Sequence, residues 1–177
     1  GAAYKAAPEV LWELGAEVIP VGVSPNGMNI NRECGSTNPN LAAESVLKNG
    51  ADVGICLDGD GDRLVVIDEN GRIANGDQLM GLLALRWANE EKLIDNVLVS
   101  TIMSNTGLEK FLNSKNIFME RTKVGDRYVV ERMIEKGYSL GGEPSGHIVM
   151  TEYSTTGDGL MAGLQFLAEI IRTGKPS

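Results

Sequence analysis

The sequence is poor in what several broad protein classes require. Its 16 Lys and Arg stand against 24 Asp and Glu, for a net charge of −8, and the basic residues are scattered. Binding a phosphate backbone needs a face dense in Lys and Arg, so nucleic acid is not an expected partner. The only cysteines are Cys34 and Cys56. They make no C-x-x-C pair and no zinc spacing, and read as two buried or half-buried thiols in a reducing compartment. No uninterrupted apolar run approaches the ~20 residues that span a bilayer. The N-terminal stretch has no basic head leading into an apolar core, so no signal peptide is read there. These absences point to the cytoplasm and to no membrane partner. Histidine occurs once, at position 147.

What is present is an alternation of helix and strand patterns in a chain that is 42% hydrophobic, enough for a real core. Residues 2–14 read as a helix stopped by Gly15, with Pro8 marking its true start or a kink. Strands are expected at 17–22, 52–57 and 63–68, the last joined to 72–74 through a turn at Glu69-Asn70-Gly71. Helices are expected at 41–48 and at 77–89, with Asp77 as the N-cap of the second. The second half repeats the logic, with strands at 96–101, 117–122 and 147–152 and helices at 106–114, 126–135 and 157–172. The fold class is therefore α/β: two consecutive small α/β domains with mixed, mostly parallel sheets flanked by helices. The charged stretch near 90–95 divides them into 1–93 and 94–177. Gly1 leads straight into a helical pattern where an α/β domain ordinarily offers a strand first, so the chain is expected to be a piece of a longer polypeptide.

The acidic loop Asp58-Gly59-Asp60-Gly61-Asp62-Arg63 carries the most chemistry. Three carboxylates at alternate positions repel one another unless a cation compensates. Carboxylate oxygens suit a hard divalent ion, and the glycines let the backbone bring all three together. Apolar strands on both sides argue against a merely solvated turn. The spacing also fits the start of an EF-hand, with Glu69 at the twelfth position. Arg63, however, occupies the obligatory glycine position, and a β-branched run follows where a helix must begin. Three carboxylates leave an octahedral magnesium ion short of ligands, which a phosphoryl oxygen completes, and Arg63 stands ready to clamp the same phosphate. Further along, Lys123-Val124-Gly125-Asp126-Arg127 joins a strand to a helix, and Gly125 opens a helix N-terminus that favours anions. Gly142-Glu143-Pro144-Ser145-Gly146-His147 is a glycine-bounded loop whose acid and hydroxyl suit vicinal sugar oxygens. Thr155-Thr156-Gly157-Asp158-Gly159 reads as a cluster capping the last helix.

Taken together, D-G-D-G-D-R at 58–63, K-V-G-D-R at 123–127 and G-E-P-S-G-H at 142–147 resemble the phosphohexomutase superfamily of α-D-phosphosugar mutases, in order and in distance. P-N-G-M-N-I-N at 25–31 and T-T-G-D-G at 155–159 look most like the bacterial members that act on glucosamine phosphates. The branches acting on mannose and glucose phosphates are the close alternatives, and a non-catalytic module for magnesium or sugar phosphate is the alternative from another class. The resemblance implies that Asp58, Asp60 and Asp62 bind Mg2+ and that Glu143 and Ser145 hold sugar hydroxyls, with Gly125 beside them. It implies that Arg63, Lys123 and His147 line the cleft near the transferring phosphoryl group, with Lys123 or His147 assisting proton transfer. It further implies a hexosamine phosphate and a sugar bisphosphate as ligands, and a four-domain protein of which this chain is most of the second domain and the third. The family's phosphoserine loop, of the form S-x-S-H-N-P, has no counterpart here, since the only histidine is His147. The 177 residues alone are therefore expected to be inactive without domains 1 and 4.

Overall fold

A computed structural model describes residues 1–174. Two sheets form because two kinds of connection are encoded. Strands β1 (Gly54–Leu57) and β2 (Leu64–Ile67) are joined only by the loop 58–63, too short for a crossover, so they pair antiparallel with Leu57 opposite Leu64. Strand β3 (Ile73–Ala74) returns along β2 through the turn at 69–71, closed by the amide of Asp68 donating to the carbonyl of Arg72 at 2.9 Å. In the second half helices intervene between strands, and β4 (Val97–Thr101) runs parallel to both β5 (Phe118–Thr122) and β6 (Leu140–Gly142). Antiparallel β7 (Ile148–Met150) completes the order β5-β4-β6-β7. The mostly parallel arrangement thus holds for the four-stranded sheet, whereas the three-stranded one is antiparallel throughout. All five residues of β4 are buried, as a strand covered on both faces requires.

The helices are α1 (Ala6–Glu13), α2 (Asn40–Asn49), α3 (Gly76–Asn89), α4 (Thr106–Asn113), α5 (Asp126–Lys136) and α6 (Gly159–Thr173). Pro8 sits in the first turn of α1, where its missing N–H costs no hydrogen bond. The N-cap of α3 is Asn75 rather than Asp77. Asn75 Oδ1 accepts from the Gln78 amide at 3.2 Å while Gln78 Oε1 accepts from the Asn75 amide at 3.0 Å, a reciprocal box that a carboxylate two residues later cannot make. Asp77 instead turns inward, where Oδ2 accepts from the Asn105 amide and side chain at 3.0 and 2.7 Å.

One expected strand is absent and one further strand is present, each for a physical reason. Residues 17–22 form no strand. They run unpaired, and a cavity of about 480 Å³ lies between them and β1. An extended segment with no neighbour to take its amides does not make a ladder. Conversely, Leu140-Gly141-Gly142 pairs as β6 although two glycines weaken any strand pattern. A side chain at Gly141 would meet Met133 Sδ at 2.6 Å, so the sheet passes where only glycine fits.

The core runs through both sheets without a break. Leu64, Leu79, Leu83, Trp87, Leu98, Leu140, Ile148 and Phe166 belong to one buried cluster. Helix α3 packs on α4, α6 and β6, while α6, from the far end of the chain, covers β1 and β2. The two sheets meet at a main-chain joint. Arg63 and His147 form an antiparallel bridge, and the Leu64 amide donates to the Gly146 carbonyl at 3.0 Å. The Gly159 amide donates to the Gly61 carbonyl at 2.9 Å.

Gly146 adopts φ +91, and a Cβ there would lie 2.0 Å from the Leu64 carbonyl oxygen. G146A is therefore expected to destabilise the fold by more than about 4 kcal/mol in urea unfolding. By contrast, Gly137, with φ +72 and open space around it, should cost only about 1–2 kcal/mol as G137A.

Candidate functional site

The acidic loop hangs between the ends of β1 and β2, and its backbone is pulled inward by its own first carboxylate. Asp58 Oδ1 accepts from the amides of Gly61 and Arg63 at 3.1 and 3.2 Å. That wraps the loop so that Asp58, Asp60 and Asp62 each offer an oxygen, all within 4.8 Å of one another. Asp58 is buried, Asp62 half-buried and Asp60 exposed, so the trio opens to solvent on one side. Burial holds the Asp62 carboxyl above its ordinary range, helped by the hydrogen bond and the charge of Asp58 and by the charge of Asp60, while the charge on His147 opposes the shift. Asp62 Oδ1 is buried and makes no hydrogen bond to another protein group. Arg63 Nε lies 3.8 Å from Asp58 Oδ2 and 3.9 Å from Asp62 Oδ1, near enough for charge attraction but beyond hydrogen-bond distance. One guanidinium beside three carboxylates leaves the cluster acidic. All-oxygen donors, excess negative charge and an orphaned buried oxygen are the conditions that a hard divalent cation satisfies.

Parallel pairing places the C-terminal ends of β4, β5 and β6 at one sheet edge, where open α/β sheets bind ligands. Lys123 follows β5 and is exposed, with Nζ 5.8 Å from the centroid of the Tyr128 ring. Glu143 follows β6. Its Oε1 accepts from the Gly125 amide at 3.0 Å, so the anion at the start of α5 is the protein's own carboxylate, which is fixed in orientation by that bond. Ser145 is exposed at the tip of the same loop. His147 lies at the end of this loop, against the acidic trio. Its residue is only 3% exposed, and Nδ1 lies 3.0 Å from Asp62 Oδ2. The joint between the sheets thus brings the acidic loop and the 143–147 loop into direct contact.

Two neighbours of His147 escaped the sequence reading. Asp126 Oδ2 approaches Nε2 to 4.0 Å, although Asp126 reads in sequence simply as the start of a helix. A Cβ at Gly157 would meet the imidazole ring at 2.4 Å, so this glycine makes room for the histidine. The pairing of Gly157 with Gly159 around the capping Asp158 was the available signal, because capping alone needs neither.

The description of phosphoglucomutase/phosphomannomutase α/β/α domain II matches residues 1–71, and that of α/β/α domain III matches residues 75–177, dividing the chain ahead of α3. Over 175 residues the chain is 68% identical to a phosphoglucosamine mutase of Ruegeria sp. (strain TM1040), covering 99% of this chain and 39% of that protein. A phosphoglucosamine mutase of Cereibacter sphaeroides is 66% identical over 175 residues, with the same 99% and 39% coverage. A crystal structure of a phosphoglucomutase/phosphomannomutase family protein from Burkholderia thailandensis superposes with a TM-score of 0.90 at 25% identity, over 100% of this chain and 39% of that one. The chain spans about two fifths of the length of these relatives. With both halves matched in order along the whole sequence, the chain belongs to the phosphoglucomutase/phosphomannomutase family and carries its second and third α/β/α domains.

Proposed function

We propose that the longer polypeptide containing this chain is a phosphosugar mutase that interconverts glucosamine 6-phosphate and glucosamine 1-phosphate, and that these two domains supply its metal site and its sugar loop. The observation that supports this most is the meeting of the acidic trio with the 143–147 loop at one joint. The relatives named phosphoglucosamine mutase, at 66% and 68% identity, support the choice of hexosamine phosphate over glucose or mannose phosphate.

In this reading Asp58, Asp60 and Asp62 hold Mg2+. When bound, the ion neutralises charge on the oxygens of a transferring phosphoryl group. Arg63 and Lys123 attract the same oxygens, and Lys123, exposed at the rim, or His147 assists the proton transfer. Glu143, oriented by the Gly125 amide, accepts from vicinal sugar hydroxyls, and Ser145 adds a donor and an acceptor beside it. A phosphoserine elsewhere in the polypeptide donates its phosphoryl group to the sugar phosphate. The resulting bisphosphate turns over in the cleft and returns the other phosphoryl group to the serine, so that phosphate is conserved across the cycle.

A coupled assay on the full-length protein tests the substrate: glucosamine 6-phosphate should turn over faster than glucose or mannose phosphates, and the isolated 177 residues should not turn over at all. A preference for glucose or mannose phosphate overturns the assignment. D60N removes one ligand charge from an exposed position and is expected to weaken magnesium binding about tenfold by calorimetry. Unchanged affinity would remove Asp60 from the site. Because the folded-state pKa of Asp62 is raised above its ordinary 3.8, the metal-free folded chain holds a proton that the unfolded chain releases. Its stability therefore falls as pH rises through the raised value, and the penalty is fully present above it. Magnesium relieves that penalty, so its effect on the thermal midpoint should be larger at about pH 8 than at about pH 4.

A further inference from the structure

We infer that Tyr128 is a positioning residue for Lys123: its ring holds the Lys123 ammonium at the ligand edge of the sheet without neutralising it, and so keeps a cation ready for the phosphoryl group of a sugar phosphate. The inference rests on the role proposed above for Lys123, attraction of phosphoryl oxygens. Lys123 Nζ lies 5.8 Å from the centroid of the Tyr128 ring, within the ~6 Å over which an aromatic face attracts a cation.

The backbone brings the two side chains together. Lys123 follows β5 directly, and Tyr128 lies in the first turn of α5. Between them Gly125 adopts φ +128, a conformation that residues with a Cβ rarely take, and folds the chain back at the start of the helix. The ring leans over this turn. A Cβ at Gly125 would stand 3.3 Å from Cδ2 of Tyr128, and the Tyr128 amide donates to the Gly125 carbonyl at 3.0 Å. The Gly125 amide in turn donates to Glu143 Oε1 at 3.0 Å. The ring is therefore seated on the same turn that orients the carboxylate proposed to hold the sugar.

Core packing does not account for an aromatic residue here. Val129 and Met133 are the buried residues of α5, whereas Tyr128 is 42% exposed. The local charges add a second, independent indication. Arg127, beside Tyr128, has its guanidinium taken up by Glu131, with Nε donating to Oε1 at 2.7 Å. Among the described residues no carboxylate lies within 4.0 Å of Lys123 Nζ. A carboxylate partner would compete with phosphate for the ammonium. An aromatic face attracts the cation through its quadrupole and leaves the charge intact. It also restrains a flexible side chain in advance, so less freedom is lost when an anion binds.

The test uses the full-length protein and the Kd for glucosamine 6-phosphate by calorimetry. Y128F keeps the ring face and is expected to stay within about 1.5-fold of the unaltered protein. Y128L and Y128Q remove the face and should each raise the Kd about three- to fivefold, the range that a cation–π contact at an exposed site supplies. K123M should raise it about tenfold. Adding Y128L to K123M should then change the Kd by less than about 1.5-fold, because the ring acts through the amine. Either of Y128L and Y128Q decides the matter if circular dichroism shows that the other does not fold, and failure of both to fold assigns Tyr128 to stability and overturns the inference. A loss in Y128L that is equally large in the K123M background overturns it too, as does unchanged affinity in Y128L and Y128Q when K123M weakens binding. Those outcomes leave Lys123 as a phosphate contact. Unchanged affinity in K123M overturns the role of Lys123 and the inference with it.

Discussion

Three carboxylates whose oxygens crowd within 4.8 Å of one another constrain everything around them. Such a cluster is electrostatically unfavourable in a protein interior, and the fold manages it without removing it. The loop's own amides bind Asp58, Arg63 stands beside the trio, and His147 takes one oxygen of Asp62. What is left is excess negative charge and a buried oxygen without a protein hydrogen bond, a cluster that could hold a metal ion. The strain is confined to one loop, whose ends are locked by Leu57 facing Leu64 across the hairpin.

The arrangement of layers explains why that loop does not stand apart. Helix α6 closes the chain yet packs beneath β1 and β2, and α3 crosses from the first sheet to lie against the second. The first sheet is thus covered partly by a helix from the other half. Main-chain hydrogen bonds at Leu64–Gly146 and Gly159–Gly61 fasten the sheets together at the place where the acidic and sugar loops emerge. Main-chain contacts of this kind hold a site more closely than side chains on a free loop. A family structure at 25% identity superposes over the full chain with a TM-score of 0.90, so the fold persists through wide change in sequence.

The rest of the surface follows from the same economy of contacts. Residues 17–22 carry a strand's composition but face a cavity of about 480 Å³ instead of a hydrogen-bonding neighbour. The two thiols line that cavity, and the buried one, Cys56, is pushed up to about 11 by burial and by the charge of Cys34. It is correspondingly unreactive as a nucleophile. Cys56 is buried and Cys34 half-buried, as expected for two unpaired cysteines.

The sequence by itself determined the elements with strong local signals. These were the helices with clear periodicity, the hairpin at 69–71, and above all the acidic loop, because alternation of Asp and Gly encodes its chemistry within six residues. It also determined the family, through three motifs in a fixed order. It did not determine the state of 17–22, since a strand exists only by virtue of its neighbour, nor β6, whose Gly141 is crowded by Met133 and Val129 of α5 and whose Gly142 is crowded by the His147 carbonyl and Met80 of α3. Only the tertiary structure decided that Asp77 braces Asn105 while Asn75 caps α3, and that Glu143 takes the amide of Gly125. Only it decided that His147 is buried against Asp62, 85 positions away in sequence. Contacts over such separations depend on how the sheets join, and no local pattern of residue types carries that information.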